Sequence, residues 1–483
     1  MLRRFLRDSA IYGLSNLLTR GLGLLLLPLY TRVLTPTQYG MVDLLQVFRT
    51  IVALTVALEI SQGAVRLVVD SRSDAEKREL VSTALWFTVG AYTLFAVVSM
   101  AWAGPLSRWL LDAPDAAGAF RLAVLYVVAA GVFGLLQDLL RFDFQARAYA
   151  VSSLASVAVV GAVTVALLLG TELRVGAIFL GLTAGNLVGV ALAARAARRR
   201  VGPVFRWSRC RDMLAFSIPL VVSGVSIFVA TFIDRIAIRQ LMTVADVGVF
   251  GVGARFASVV SLGMVVLQTA LTPLVYNHYT EEGTPREIAR ILRLVAALFV
   301  PAVVGLAVFG PEIIAGVTTP EYLAAAPVLP VLAASMALSQ FWVFAPGLGL
   351  GRRTRTIALL NVGAAALNTA LNYLLIPWWG IMGAALATLC GAVMTAAGYV
   401  ALGRRHYRVP YAPARLLGAA GLGVAAVLAA RALWGAAPVA DAAGWAAKAG
   451  FCLAAAAGAA ALLVSADEVR RVPALLARRA GPA

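Results

Sequence analysis

Apolar runs of about twenty residues alternate with short polar or basic breaks along nearly the whole chain. A helix crossing the hydrocarbon of a bilayer needs about 20 predominantly apolar residues. Fourteen stretches qualify: 10–33, 41–61, 80–103, 119–140, 149–170, 174–194, 213–234, 246–273, 291–309, 322–345, 355–376, 380–402, 413–434 and 442–465. Lipid offers no partner for a free peptide group, so each run predicts a helix, and few residues remain outside them. The pattern therefore predicts an all-α polytopic membrane protein with about 14 transmembrane helices. Arg3, Arg4 and Arg7 before the first run give it the look of a secretory signal, but no small-residue cleavage site interrupts it, and it is taken as a retained first helix.

Polar residues within these runs fall on single faces. On the first span Tyr12, Asn16, Thr19/Arg20 and Gly23 recur at steps of three and four, opposite a leucine face. The second span carries Asp43, Gln46, Arg49/Thr50 and, near its inner end, Glu59. The eighth carries Arg255, Ser258, Ser261, Gln268 and Thr272, and the eleventh Asn361, Asn368 and Asn372. Such stripes face protein or water, since a cation at the bilayer centre costs about 2.5 to 3.5 kcal/mol on insertion scales.

Each buried arginine admits two readings. One is an ion pair, of Arg20 with Asp43 or Glu59, or of Arg255 with Asp234; the other is an anion site. The anion reading is preferred, because arginines on three spans outnumber what one pair needs and the guanidinium fork matches phosphate oxygens. For the three asparagines, hydrogen bonding between helices and binding of a hydroxyl-rich ligand both stand. Asp43, Glu59 and Asp234 are the intramembrane carboxylates and hence candidates for ion coupling, with neutralisation of a neighbouring arginine as the competing role. Asp138 is expected to pair locally with Arg141, and Lys448 to snorkel towards an interface.

An internal repeat organises the spans. LTPTQYGMV (34–42) and MTVADVGVF (242–250) lie 208 apart, RVGA (174–177) and IMGA (381–384) 207 apart, and a basic loop follows each of the latter two, ARAARRR (194–200) and GRRHYR (403–408). A unit of six spans is even, so both copies enter the membrane from the same side. The expected domains are a six-helix bundle over 1–200, a second over 201–408, and two additional helices with a tail over 409–483. The last two spans are rich in Ala and Gly, as in FCLAAAAGAAALL (451–463), which favours close helix packing over a lipid-facing groove.

Composition agrees with the pattern. The chain is 61% hydrophobic and 13% charged, about half the charge of a soluble protein. A net charge of +18 raises nucleic acid as a partner, but its distribution excludes that reading. With the N-terminus placed in the cytoplasm, the inner segments hold 30 Lys and Arg, the outer segments 7 and the spans 4, namely Arg20, Arg49, Arg255 and Lys448. The densest basic run, Arg195 to Arg211, reads as a topology anchor beside anionic lipid. Cys210, Cys390 and Cys452 are scattered, and His278 and His406 fall in loops, so neither a metal nor a cofactor is expected.

LTPTQYG after an Asn- and Arg-bearing first span, and NTALNYLLIPWWGIMGAALAT (368–388), resemble the polysaccharide flippases of the multidrug/oligosaccharidyl-lipid/polysaccharide exporter superfamily. The resemblance runs over essentially the whole chain, with Asn372, Ile376, Pro377, Gly380, Gly383, Ala384 and Ala385 carrying the most specific part. It implies two six-helix bundles around a central cavity plus two extra C-terminal helices. It further implies alternating access that moves a polyprenyl-diphosphate-linked oligosaccharide from the cytoplasmic to the outer leaflet of a bacterial plasma membrane, with both termini cytoplasmic. The expected substrate ligands are Arg20, Arg49 and Arg255 for the diphosphate and Asn16, Asn361, Asn368 and Asn372 for the glycan. Polysaccharide polymerase and glycosyltransferases are the expected protein partners. Lipid II flipping and drug or toxin export are the alternatives within transport. A polytopic glycosyltransferase or polymerase is a more distant one, because the outer loops are short and carry no nucleophile motif or phosphate-cradling glycine loop.

Overall fold

The computed structural model describes residues 13, 15, 19, 21–71, 73–142, 145–435 and 437–464. Among these residues all regular structure is helical, and 13 helices are long and apolar enough to cross a membrane. Of the expected first span, only the end, Leu27–Val33, is a described helix of its own. The later spans follow the apolar runs closely, as in Ala117–Phe142, Ala146–Gly170, Val175–Ala197, Ile381–Gly403, Pro413–Trp434 and Ala442–Leu463.

Two departures have physical causes. The second span is broken into Pro36–Thr55 and Ile60–Asp70 by Leu58 and Glu59, which both adopt left-handed backbone with φ of 51° and 53°. The seventh and eighth spans, Trp207–Leu241 and Val244–His278, are 35 residues each, about 50 Å at 1.5 Å per residue, far beyond ~30 Å of hydrocarbon. Their charged ends therefore reach the interfaces, and residues assigned to loops by hydropathy are helical.

The repeat is visible in local structure. Thr35 caps the second span with a reciprocal capping box: its Oγ1 accepts from the Gln38 amide and the Gln38 side chain accepts from the Thr35 amide. Thr243, 208 residues on, does the same with Asp246 at the start of the eighth span. These two capped turns cross at Gly40 and Gly248. A methyl on Gly40 would fall 1.9 Å from the Val244 carbonyl oxygen, and one on Gly248 would fall 2.1 Å from that of Pro36. The contact is reciprocal between equivalent positions, and only glycine permits it. A second sharp turn also recurs: Arg174 (φ 45°, ψ −110°) opens the sixth span and Gly380 (φ 55°, ψ −139°) the twelfth.

The chain folds as two compact units, residues 1–248 and 249–483. In the first, the sixth span meets the fifth along Gly181 and Gly185, against Thr164 and Val160, and the fourth at Gly189, against Phe133. The half-helix Ile60–Asp70 packs on the third and seventh spans through Ile60, Ala64, Leu80, Ala84, Cys210 and Met213. The basic stretch before the seventh span is latched to the third: Arg200 pairs with Asp74 at 2.8 Å, Arg206 with Glu79 at 3.0 Å and Arg209 with Glu76 at 2.9 Å. In the second unit, Met264, Leu271, Val275, Ile288, Leu292, Val343 and Phe344 form a core joining the eighth, ninth and tenth spans. Val304 and Val308 of the ninth span meet Ala426, Ala430 and Ala455 of the last two, so that pair is held by close packing. The division at Gly248 follows packing; the expected domains 1–200, 201–408 and 409–483 follow the repeat and stand as a proposal about its boundaries.

Candidate functional site

Near the N-terminal end of the second span and the C-terminal end of the seventh, two carboxylates share one guanidinium. Arg235 Nε donates to Asp43 Oδ2 at 3.0 Å, and Nη1 donates to both Asp234 oxygens at 3.0 and 3.1 Å. Asp43 and Asp234 are 8% and 5% exposed, and the Phe232 ring lies beneath the guanidinium at 5.6 Å. One turn later Arg239 donates to the carbonyls of Leu110 and Trp109. Two of the three ion-coupling candidates, Asp43 and Asp234, thus meet on an arginine that hydropathy placed one residue beyond the span. The missed signal is the apolar continuation IAI after Arg235, which carries the helix to Leu241.

Deeper on the second span, Arg49 makes no ion pair among the described residues. Its guanidinium lies 5.9 Å from the centroid of the Tyr126 ring, its Nε is buried without a hydrogen-bond acceptor, and the Tyr126 hydroxyl donates to Gln46 Oε1 at 3.4 Å. A cation held by a ring face keeps its donors for an arriving anion. The third candidate, Glu59, occupies the helix break, where non-glycine residues in left-handed backbone cost about 1 to 2 kcal/mol each. It lies within electrostatic reach of Asp138 of the fourth span. Asp138 pairs with Arg141 at 2.8 Å, as the spacing predicts. Arg20 and Asn16 lie outside the described residues.

The three asparagines divide. Asn368 and Asn372 are buried, and Asn372 Nδ2 donates to the Asn368 carbonyl at 2.9 Å and to its Oδ1 at 2.7 Å. Gly391 of the twelfth span packs against Asn368. Asn361, about two and three turns earlier in chain direction, instead lines a cavity of about 410 Å³. The motif Pro377, Gly380, Gly383 builds the reversal between the eleventh and twelfth spans, where a methyl on Gly383 would meet the Leu375 carbonyl at 2.4 Å. On the eighth span, Ser258 donates to the Arg255 carbonyl and Ser261 to that of Ser258, so these hydroxyls are spent within the helix.

Lys448 does not snorkel. It is 1% exposed, donates to the Val308 carbonyl at 3.0 Å, pairs with Glu312 of the ninth span and lies over the Trp434 ring at 5.8 Å. A carboxylate on the neighbouring helix offers more than the interface does, and Glu312 Oε1 also accepts from the Val439 amide. The carboxylate sits in a span that the sequence reading had ended three residues earlier, at 309.

The sequence model of the family described as polysaccharide biosynthesis protein matches residues 29–327. No curated protein sequence matches the chain. Among solved structures, the lipid II flippase MurJ in an inward closed conformation is similar with a TM-score of 0.71 at 13% identity, over 94% of this chain and 98% of that one. An inward-facing multidrug resistance MATE family transporter of the MOP superfamily gives 0.63 at 15% identity, over 80% of this chain and 94% of that one. An outward-facing structure of a MATE family transporter gives 0.56 at 16%, over 82% and 95%. At these identities the likeness establishes the fold, a multi-pass bundle of membrane-spanning helices.

Proposed function

The chain belongs to the polysaccharide biosynthesis protein family, and from that membership we propose that it is a flippase carrying polyprenyl-diphosphate-linked oligosaccharide from the cytoplasmic to the outer leaflet by alternating access. The observation that carries the reading is the placement of the family match, which falls almost wholly on membrane-spanning helices. The polysaccharide step assigned to this family is then a movement through the membrane, and no bond is made or broken. The substrate joins an anionic diphosphate to a hydroxyl-rich glycan. The proposed diphosphate ligands are Arg20, Arg49 and Arg255. Arg49 supports this with a guanidinium free of carboxylates among the described residues. Asn16, Asn361, Asn368 and Asn372 are the proposed glycan ligands, with Asn361 the best placed because its amide faces a cavity.

Asp43, Glu59 and Asp234 are the proposed coupling carboxylates, with Glu59 foremost because Asp43 and Asp234 are engaged by Arg235. The membrane is the bacterial plasma membrane with both termini in the cytoplasm, supported by 30 inner against 7 outer basic residues. A polymerase and glycosyltransferases are the proposed partners, since they would consume and supply the lipid-linked glycan. Lipid II flipping is the second reading, favoured by the fold likeness to MurJ over 94% of the chain. Deletion of the gene separates them: surface polysaccharide should disappear while its lipid-linked precursor accumulates on the inner leaflet. Normal polysaccharide with accumulated lipid II would favour the second reading.

A further inference from the structure

The second unit contains a cavity of about 410 Å³ lined by the eighth, tenth, eleventh and twelfth spans, at the end where residues 279–283 leave the eighth span and 347–353 join the tenth to the eleventh. Its lining includes Asn361, Tyr276, Tyr399, Thr272, Thr395 and Trp342, and no charged side chain. We propose that this cavity is a neutral-sugar subsite, which takes one or two uncharged glycosyl residues of the lipid-linked glycan at the cytoplasmic side.

The hydrogen-bonding state of the lining supports a hydroxyl-rich occupant. Thr272 Oγ1 donates to the Gln268 carbonyl at 2.8 Å and Thr395 Oγ1 to the Gly391 carbonyl at 2.9 Å. Ser339, also in the lining, donates to Ser335 at 2.8 Å. Each hydroxyl has spent its proton within its own helix and offers lone pairs to a ligand O–H. The donors complement them: the Asn361 amide and the Tyr276 and Tyr399 hydroxyls have no hydrogen-bond partner among the described residues. Asn361 stands two turns inside the eleventh span, at a depth where lipid could not satisfy it. Trp342 and the tyrosines supply aromatic faces against which the C–H face of a pyranose can pack, and Val275, Val343, Pro346 and Ile357 supply apolar wall.

The fold is shaped to keep this space. Tyr276 crosses Gly349 so closely that a methyl there would fall 2.6 Å from its hydroxyl, while Gly347 rests on the Gly403 carbonyl, where a methyl would come within 2.2 Å. Tyr411 outside the spans donates to the Phe344 carbonyl at 2.7 Å, pinning the segment that bears Trp342, and burial pushes its phenol pKa up. With no charge in the lining, a diphosphate would be poorly matched. A neutral sugar loses little by leaving water for a wall of paired donors and acceptors.

The assignment of the cavity to a glycan rests on the flippase reading, and the test keeps the two apart. The full-length protein in nanodiscs is titrated with methyl glycosides of glucose, galactose, mannose, rhamnose and N-acetylglucosamine, read by saturation-transfer NMR and calorimetry. Flipping of the host's lipid-linked precursor is measured separately in proteoliposomes. At least one glycoside should bind, weakened about tenfold by Asn361→Ala and by Trp342→Leu and retained by Trp342→Phe, with inorganic pyrophosphate failing to compete. Asn361 is exposed, so Asn361→Ala should fold as the parent does. Binding of no glycoside, or binding indifferent to both Asn361→Ala and Trp342→Leu, would overturn the subsite whatever the flipping assay shows. Absence of flipping by the parent protein would instead sink the flippase reading.

Discussion

At the scale of single residues, the second and seventh spans are joined by one cation between two acids. Removing Arg235 takes the shared cation from Asp43 and Asp234, both largely out of water, and breaking a buried pair costs about 3 to 5 kcal/mol. Arg235→Ala should therefore lower the thermal midpoint of the purified protein sharply. Adding Asp43→Asn and Asp234→Asn to it should recover most of the loss, and no recovery would mean that Arg235 stabilises by packing. Arg49 predicts the opposite pattern. It has a ring face and no carboxylate partner among the described residues, so Arg49→Ala should leave the midpoint nearly unchanged while flipping falls at least tenfold. Arg49→Lys should keep part of the activity, having the charge without the fork. A large fall in stability with Arg49→Ala would return the residue to a structural role. The same contrast explains what was legible beforehand. The stripe bearing Asp43, Gln46 and Arg49 is visible as a helical period, whereas the partner Arg235 is not, because hydropathy ends a span at the first charge and a buried triad places its charge at that end.

At the scale of elements, each of the thirteen described spans falls on an apolar run, since lipid imposes one period and a minimum length on every crossing, but the second, seventh and ninth helices extend five or more residues past their runs at each end. The break at Leu58 and Glu59 was not legible: left-handed backbone is signalled by Gly or Asn, and here it is imposed on Leu and Glu by the packing of Ile60–Asp70 onto the seventh span, where Gly63 meets Ser217 and Met213. The repeat, in contrast, was written in residues that turn out to be caps and contact points. Thr35 and Thr243 close capping boxes, and Gly40 and Gly248 let the two capped turns touch. Gly40→Val should thus fail to accumulate as folded protein, because its Cβ has a backbone carbonyl in its place, while Gly90→Ala, whose Cβ meets nothing within 4 Å, should accumulate normally in the same membrane fraction. Equal yields would show that the crossing yields to a side chain. The latch between residues 200–209 and the third span also bears on orientation. Single cysteines placed between Arg195 and Arg206 in a cysteine-free variant should resist impermeant thiol reagents in intact cells, and ready labelling there would reverse the proposed topology.

At the scale of the whole molecule, a transporter fold moves substrate in a net direction only if something other than substrate binds one of its states better than the other. The chain has no phosphate-cradling glycine loop to use nucleotide energy, so the proposed bias is an ion gradient or the membrane potential acting on intramembrane carboxylates. Asp43 and Asp234 are engaged by Arg235, which leaves Glu59 as the carboxylate best placed to exchange an ion. It stands at the break between the half-helices Pro36–Thr55 and Ile60–Asp70, within electrostatic reach of Asp138. One charge moved across 100 mV is worth about 2.3 kcal/mol, or about a 50-fold ratio of substrate between leaflets at equilibrium. In proteoliposomes the accumulation of a fluorescent lipid-linked oligosaccharide in one leaflet should therefore follow an imposed pH gradient, sodium gradient or potassium-diffusion potential. Glu59→Gln should abolish that accumulation while leaving slow equilibration between leaflets, since the path for substrate persists and only the bias is lost. Asp43→Asn and Asp234→Asn made together with Arg235→Met should retain accumulation, because that triad is assigned to holding the second and seventh spans together. Equilibration by the parent protein that ignores every imposed gradient would refute coupling, and undiminished accumulation by Glu59→Gln would move the coupling site elsewhere in the chain.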